Sequence, residues 1–159
     1  MTPDQLRHEE ARAWLDRAGR DLQAARLLIA GDANTEALFH CQQAVEKALK
    51  AFLTFHERAF RKTHDLGDLS PECFAIDDSL QPAVSQAEAL TQYASRFRYP
   101  GAPYEPDATE AQDGLQRAET AVREVERRLP MRRPPPGPST NSWAKRTWGP
   151  PNSRPSRRV

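Results

Sequence analysis

Three polar side chains at helical spacing could carry chemistry in this sequence: Gln43, Lys47 and Lys50. Because helical residues three and four positions apart are neighbours on one face, these three would form a polar ridge. If the ridge faces a cleft that also holds His64 and Arg98, its cations would bind an anion such as a phosphate group. The alternative is a solvated helix face that binds nothing.

His64 and Asp65 follow a basic loop and allow both a structural and a functional interpretation. In the structural one, Asp65 or Thr63 caps a short helix, and His64 forms a hydrogen bond with a neighbouring helix. In the functional one, His64 contacts a nucleotide or a partner protein together with Asp65. The sequence leaves both open.

The tripeptide Arg98, Tyr99 and Pro100 has the same two interpretations. Pro100 would end a helix, Tyr99 would pack against it, and Arg98 would pair with an acidic side chain. Alternatively, Arg98 binds phosphate, because its planar guanidinium group matches the geometry of that anion.

The pattern of histidine and cysteine does not indicate a metal site. His40 and Cys41 are adjacent, so their side chains point about a quarter-turn apart on a helix. No third ligand stands four positions further on, as a metal site would need. We expect neither a metal nor another cofactor.

The element that must position these polar residues is a helix from Thr35 to Leu53. Its apolar residues fall at the spacing of one helical face: Leu38, Cys41, Val45, Leu49 and Phe52. An earlier helix is expected to run to Ala30 and to end at a left-handed Gly31. Asn34 or Thr35 would then cap the central helix.

Three further helical segments are expected after the central helix. They are a short turn from Leu66 to Leu69 that Pro71 stops, a long helix from Leu80 to Phe97, and a last helix that follows a cap at Asp107. No segment alternates like a strand. The sequence therefore predicts an all-α fold, an antiparallel four-helix bundle with one additional short helix.

The composition changes sharply at Pro130. The last 30 residues hold eight of the 14 prolines and seven arginines or lysines, without any Asp or Glu, whereas the preceding residues hold 16 basic and 22 acidic side chains. We predict a helical domain at 1–129 and a basic, disordered Pro/Arg-rich tail at 130–159. Trp143 and Trp148 in this tail would stack on single-stranded nucleic acid or belong to an extension without a role.

Cysteine usage and hydropathy bear on location. Cys41 and Cys73 are the only cysteines, and two cysteines without a CxxC pair do not form a disulfide framework. The first ten residues contain no apolar run, and no stretch approaches the ~18 apolar residues of a membrane span. We expect a cytoplasmic protein that does not contact a membrane.

Three blocks in a fixed order resemble the HEPN domain family of prokaryotes, whose name stands for "higher eukaryotes and prokaryotes nucleotide-binding". The blocks are FHCQQAVEKALKAFL at 39–53, KTHDLGDL at 62–69 and RFRYPG at 96–101. The resemblance covers residues 8 to 129. It implies a helical bundle, in agreement with the pattern above, and a homodimer.

Many members of this family are metal-independent ribonucleases, and the resemblance therefore raises that activity as a hypothesis. Their motif is an arginine followed, after four to six residues, by a histidine near the start of the last long helix, with two copies meeting at a dimer interface. This chain has no histidine after Arg98. An upstream match, Arg58 and His64 with five residues between them, is the candidate catalytic pair.

The resemblance also implies a partner, a minimal nucleotidyltransferase in a toxin–antitoxin-like pair. The transferase would neutralise this chain by binding it or by adding AMP to a tyrosine, Tyr99 or Tyr104. Alternatively, the chain is a non-catalytic module that binds a nucleotide, RNA or the transferase. The candidate nucleotide- or partner-binding residues are Gln43, Lys47, Lys50, Asp65, Arg98, Tyr99 and Tyr104.

Overall fold

A computed structural model describes residues 1–130 of the chain. The predicted tail at 130–159 lies outside these residues except for Pro130. The described part is helical and contains no strand, which confirms the predicted all-α bundle with one additional short helix.

The first two helices form an antiparallel hairpin. Helix α1 spans Pro3–Ala30 and α2 spans Asn34–Phe55. The turn between them differs from the prediction, because Gly31 has φ −98 and the left-handed residue is Asp32, with φ 58. Ala33 precedes α2 without a side-chain cap. The prediction that Asn34 or Thr35 caps this helix was therefore wrong.

Helix α3 is longer than predicted and spans Leu66–Ile76. Asp65 caps it by accepting a hydrogen bond of 2.8 Å from the backbone nitrogen of Gly67, as the structural interpretation predicted. Pro71 lies inside the helix, so the prediction that it stops the helix was wrong. Burial of Leu66, Leu69 and Cys73 outweighs the one backbone hydrogen bond that proline removes.

The predicted long helix from residue 80 to residue 97 is broken into short segments. Helix α4 spans Gln81–Ala87 and α5 spans Thr91–Ala94, and 3₁₀ turns at Asp78–Leu80 and Glu88–Leu90 precede them. Buried side chains here recur every third residue at positions 84, 87, 90 and 93. That spacing fits the three residues per turn of a 3₁₀ helix better than the 3.6 of an α-helix.

Helix α6 spans Ala108–Arg128 and closes the bundle against α2. Asp107 caps it, since its Oδ1 accepts a 2.8 Å hydrogen bond from the backbone nitrogen of Glu110. Gly114 packs directly on α2, because a Cβ there would stand 2.3 Å from Cδ2 of Leu38. One apolar core joins all the helices and holds the polar face of α2 in a fixed orientation.

Candidate functional site

A buried carboxylate, Glu46, is the centre of the polar face of α2. Its side chain is 3% exposed. It accepts hydrogen bonds from Lys50 Nζ at 2.6 Å, His64 Nδ1 at 3.1 Å, and the side-chain amides of Gln42 and Gln43 at 3.2 Å. Three residues singled out from the sequence, Gln43, Lys50 and His64, therefore meet at one carboxylate.

This cluster determines the protonation state of Glu46. Burial alone would raise the pKa of the Glu46 carboxyl. The hydrogen bonds from Lys50, His64 and Gln42, together with the positive charge of Lys50, outweigh that effect and hold the pKa below its ordinary value. Glu46 is thus a stable anion at neutral pH and neutralises the cation that the sequence suggested as a phosphate ligand.

The loop between α2 and α3 covers this cluster. The backbone oxygen of His64 accepts a 2.7 Å hydrogen bond from Gln42 Nε2. Lys50 Nζ lies 5.5 Å from the ring centroid of Trp14 and 5.8 Å from that of Phe60. Lys50 is consequently buried between aromatic rings, and the polar ridge is not a solvated face at this point.

Lys47 is also paired within the chain. Its Nζ forms an ion pair with Asp21 on α1, and the other carboxylate oxygen of Asp21 lies 2.8 Å from Nδ1 of His40. Asp21 is buried, so this second cluster joins α1 to α2. Both lysines of the ridge therefore have an internal counter-charge.

The two residues of the candidate catalytic pair both lie on the loop between α2 and α3. Arg58 is exposed, and no hydrogen bond or ion pair joins it to His64 within residues 1–130. The His64 side chain is 67% exposed. Because its Nδ1 donates to Glu46, its Nε2 is left for solvent or substrate, the arrangement in which a carboxylate orients an acid–base histidine.

Arg98 packs against the face of α2 that His64 also contacts. Its guanidinium carbon is 5.1 Å from the ring centroid of Phe39. Phe39 and Glu46 are seven residues apart, and this separation places them on one helix face at a distance of about 10 Å. The structure thus arranges Arg98 and His64 along one side of the molecule without direct contact.

Two tyrosines share the carboxylate of Glu110 at the start of α6. The hydroxyl of Tyr104 donates to Glu110 Oε1 at 2.7 Å, and the hydroxyl of Tyr93 donates to the same oxygen. The ring of Phe97 lies 5.1 Å from that of Tyr104. Tyr104 is half-exposed, whereas Tyr99, at 65% exposure, is the more accessible ring.

Glu110 changes the acidity of both hydroxyl groups that it accepts from. Its hydrogen bond is the main reason that the pKa of Tyr104 is raised. The pKa of Tyr93 is raised further, first by burial and then by the hydrogen bond and charge of Glu110. Tyr104 is therefore a protonated hydroxyl with a carboxylate placed to accept its proton.

Sequence analysis did not assign functional roles to Glu46, Asp21 or Glu110, the three acidic residues on which this site depends. A signal existed for Glu46, because it stands four residues before Lys50 on a predicted helix. Asp21 pairs with His40 and Lys47 of α2, and Glu110 binds Tyr93 and Tyr104; the folded chain brings these groups together. The part of the chain that the structure covers contains no group of three or more potential metal ligands, and none of its helices is long and apolar enough to cross a membrane.

Comparison with a protein-family model identifies a HEPN domain over residues 11–128. Among curated proteins, "Putative toxin MJ1304" of Methanocaldococcus jannaschii is 30% identical over 96 residues, which cover 57% of this chain and 63% of that protein. The match thus spans less than two thirds of the relative's length.

Two solved structures have a similar fold. TT1696 from Thermus thermophilus is 29% identical with a TM-score of 0.62, and the alignment covers 76% of this chain and 98% of that one. ST0689, described as an archaeal HEPN homologue, is 25% identical with a TM-score of 0.60 over the same shares of the two chains.

Proposed function

The chain belongs to the HEPN domain family, and we propose that it acts as the partner of a minimal nucleotidyltransferase in a toxin–antitoxin-like pair. In this proposal the chain is a cytoplasmic binding module that forms a homodimer and contacts nucleotide or RNA. The similarity to a protein named as a toxin supports such a pair. Two buried, unpaired cysteines suit a reducing compartment.

The observation that carries this proposal is the exposed segment between α5 and α6. Arg98, Tyr99 and Tyr104 all lie at the surface of this segment. Tyrosine and arginine are enriched among the residues that dominate binding energy at protein interfaces. The segment is therefore the surface that we assign to the transferase.

Tyr104 is the better acceptor for AMP of the two candidate tyrosines. As its oxygen attacks the α-phosphorus of ATP and pyrophosphate leaves, the phenolic proton passes to Glu110, which lies 2.7 Å away. Among residues 1–130, Tyr99 has no carboxylate hydrogen-bonded to its hydroxyl. As an acceptor for AMP, Tyr104 gains more from the carboxylate beside it than Tyr99 gains from its greater exposure.

Mass spectrometry can test this assignment. The full chain is incubated with ATP and a minimal nucleotidyltransferase, and AMP addition is located by peptide mapping. We expect Tyr104→Phe to abolish the modification and Tyr99→Phe to leave most of it. Modification of Tyr99 alone, or none with an active transferase that binds the chain, would overturn the assignment.

Glu110→Gln tests the role of the base in the same assay. The substitution retains a hydrogen-bond acceptor but removes the group that takes the proton. We expect transfer to slow by about 100-fold, the lower range for loss of general base catalysis. The melting temperature must stay near that of wild type, because Glu110 also binds the buried Tyr93.

A ribonuclease is the second candidate function, and the orientation of His64 by Glu46 favours it. Arg58 from a second copy of the chain would have to supply the phosphate-binding cation at a dimer interface. Metal-free RNA cleavage that falls more than ~100-fold in both His64→Ala and Arg58→Ala would support this function. Cleavage that persists in both variants would exclude this pair.

The homodimer is tested separately by sedimentation. A composite site needs two copies, so we expect the chain to sediment as a dimer at micromolar concentration. A monomer at high micromolar concentration would remove the composite ribonuclease site. It would leave the transferase complex as the remaining proposal.

A further inference from the structure

A pocket of about 360 Å³ opens between α1 and α2, away from the segment assigned to the transferase. Its lining residues are Glu10, Ala13, Trp14, Arg17 and Lys47. Its volume falls within the range of small-molecule sites, ~300–1,000 Å³. The first four residues are on α1 and the last is on α2.

The α1 residues of the pocket form one stripe with a negative charge at one end and a positive charge at the other. Glu10, Trp14 and Arg17 stand at the first, fifth and eighth positions of two helical turns, so they share a face. The stripe is about 10 Å long. It therefore presents a carboxylate at one end, an aromatic ring in the middle and a guanidinium group at the other end.

Only one of the two cations of this pocket has a counter-charge within residues 1–130. Lys47 is neutralised by Asp21, whereas Arg17 forms no ion pair among residues 1–130. Arg17 is consequently the cation available to a bound anion. Glu10 is likewise without an ion pair in that part of the chain, and its carboxylate can accept hydrogen bonds from an N–H or O–H group.

Trp14 is held in place as the wall between these two charges. Its ring lies 6.4 Å from that of Phe60 in an edge contact, and Lys50 Nζ lies 5.5 Å from its centroid. Lys50 is in turn fixed by Glu46. A ring supported in this way is a rigid surface on which a planar ligand can stack at little entropic cost.

We infer that this slot binds a nucleoside monophosphate whose base carries an exocyclic amine. The base stacks on Trp14, its amine donates to Glu10, and the phosphate binds Arg17. The same chemistry occurs in a free nucleotide and in the terminal nucleotide of an RNA strand. The inference names a site for the nucleotide-binding part of the proposed function and rests on that part.

The test uses the full chain with Trp143→Phe and Trp148→Phe, so that Trp14 is the only tryptophan. Fluorescence is titrated with AMP, with adenosine and with IMP, which has an oxo group in place of the amine. We expect saturable binding of AMP and about tenfold weaker binding of adenosine and of IMP, since each lacks one charge-assisted hydrogen bond.

Matched variants assign each difference to one residue. Arg17→Gln should abolish the preference for AMP over adenosine, and Glu10→Ala should abolish the preference for AMP over IMP. The controls Arg20→Gln and Glu9→Ala change exposed residues of α1 outside the pocket and should preserve both preferences. A merely structural effect would lower all three affinities together.

Short oligoadenylates with and without a 5′-phosphate distinguish the two sources of the ligand. Phosphate-dependent RNA binding that Arg17→Gln abolishes would assign the site to an RNA end. Absence of saturable AMP binding at millimolar concentration, with RNA binding unaffected by Arg17→Gln, would overturn the inference. No transferase is present, so this failure would leave the pairing through Arg98–Tyr104 standing.

Discussion

At the residue scale, the balance between Glu46 and Lys50 decides the stability of the polar face. Glu46→Gln would leave Lys50, whose side chain is 11% exposed, as a buried cation without its counter-charge. Removing one partner of such a pair costs about 3–5 kcal/mol. We expect the free energy of unfolding, measured by urea titration, to fall by about 3 kcal/mol.

The double variant Glu46→Gln, Lys50→Met is the control for this prediction. It removes both charges, so we expect it to recover part of the loss, because a buried pair can be replaced by apolar groups at little cost. Full additivity of the two single substitutions would contradict the coupling that the 2.6 Å contact indicates.

The lowered pKa of Glu46 gives this stabilisation a pH dependence. A carboxyl whose pKa is lower in the folded state stabilises that state above its unfolded pKa, near 4.5, and loses the effect as pH falls through the folded value. The stability of wild type should therefore fall more steeply with acid below this pH than that of the double variant. Parallel acid-unfolding curves would exclude the effect.

The sequence pattern pointed to Lys47 and Lys50 more readily than to the acidic residues that pair with them. The spacing of Gln43, Lys47 and Lys50 indicated one polar region of α2. In the structure Gln43 and Lys50 contact Glu46, whereas Lys47 pairs with Asp21 of α1. Glu46 also binds His64 from the loop after α2. Only the tertiary fold brings Asp21 and His64 to these positions. The availability of each lysine for a ligand could not be predicted, since it depends on those partners.

At the element scale, the close approach of α2 and α6 depends on Gly114. A Cβ there would stand 2.3 Å from Leu38 and 3.3 Å from Leu90, both fully or almost fully buried. We expect Gly114→Ala to destabilise the chain by about 1–3 kcal/mol through overpacking. This should show as a lower melting temperature despite the better helix propensity of alanine.

Gly19→Ala on α1 is the matched control. No atom lies within 4 Å of the Cβ that it would add, so the helix propensity of alanine should raise stability by up to about 1 kcal/mol. If both substitutions changed the melting temperature in the same direction, the contact between α2 and α6 would not be as tight as the structure indicates.

Periodicity predicted the long helices α1, α2 and α6 but not the segments between them. Pro71 predicts a helix end but lies inside α3. The buried residues at every third position from 84 to 93 predict one continuous helix, but the chain there forms short segments. Both errors have the same cause. The chain departs from the conformation that local sequence predicts where buried contacts with α2 compensate for a lost hydrogen bond or a tighter turn.

At the scale of the whole molecule, one apolar core joins the helices of residues 1–130. Removing residues 130–159 should leave the melting temperature almost unchanged, since their composition offers little apolar surface to bury. Calorimetry of the full and shortened chains measures this directly. A drop of several degrees would show that the basic residues of the tail stabilise the acidic body.

The central claim is that the molecule acts through a complex formed at Arg98–Tyr104. Sedimentation of the full chain mixed with a minimal nucleotidyltransferase tests it most directly, with Arg98→Glu as the probe and Arg20→Glu as a charge-matched control. We predict a stable complex for wild type and Arg20→Glu, and at least tenfold weaker binding for Arg98→Glu. Equal binding by both variants, or no complex at high micromolar concentration, would contradict the claim.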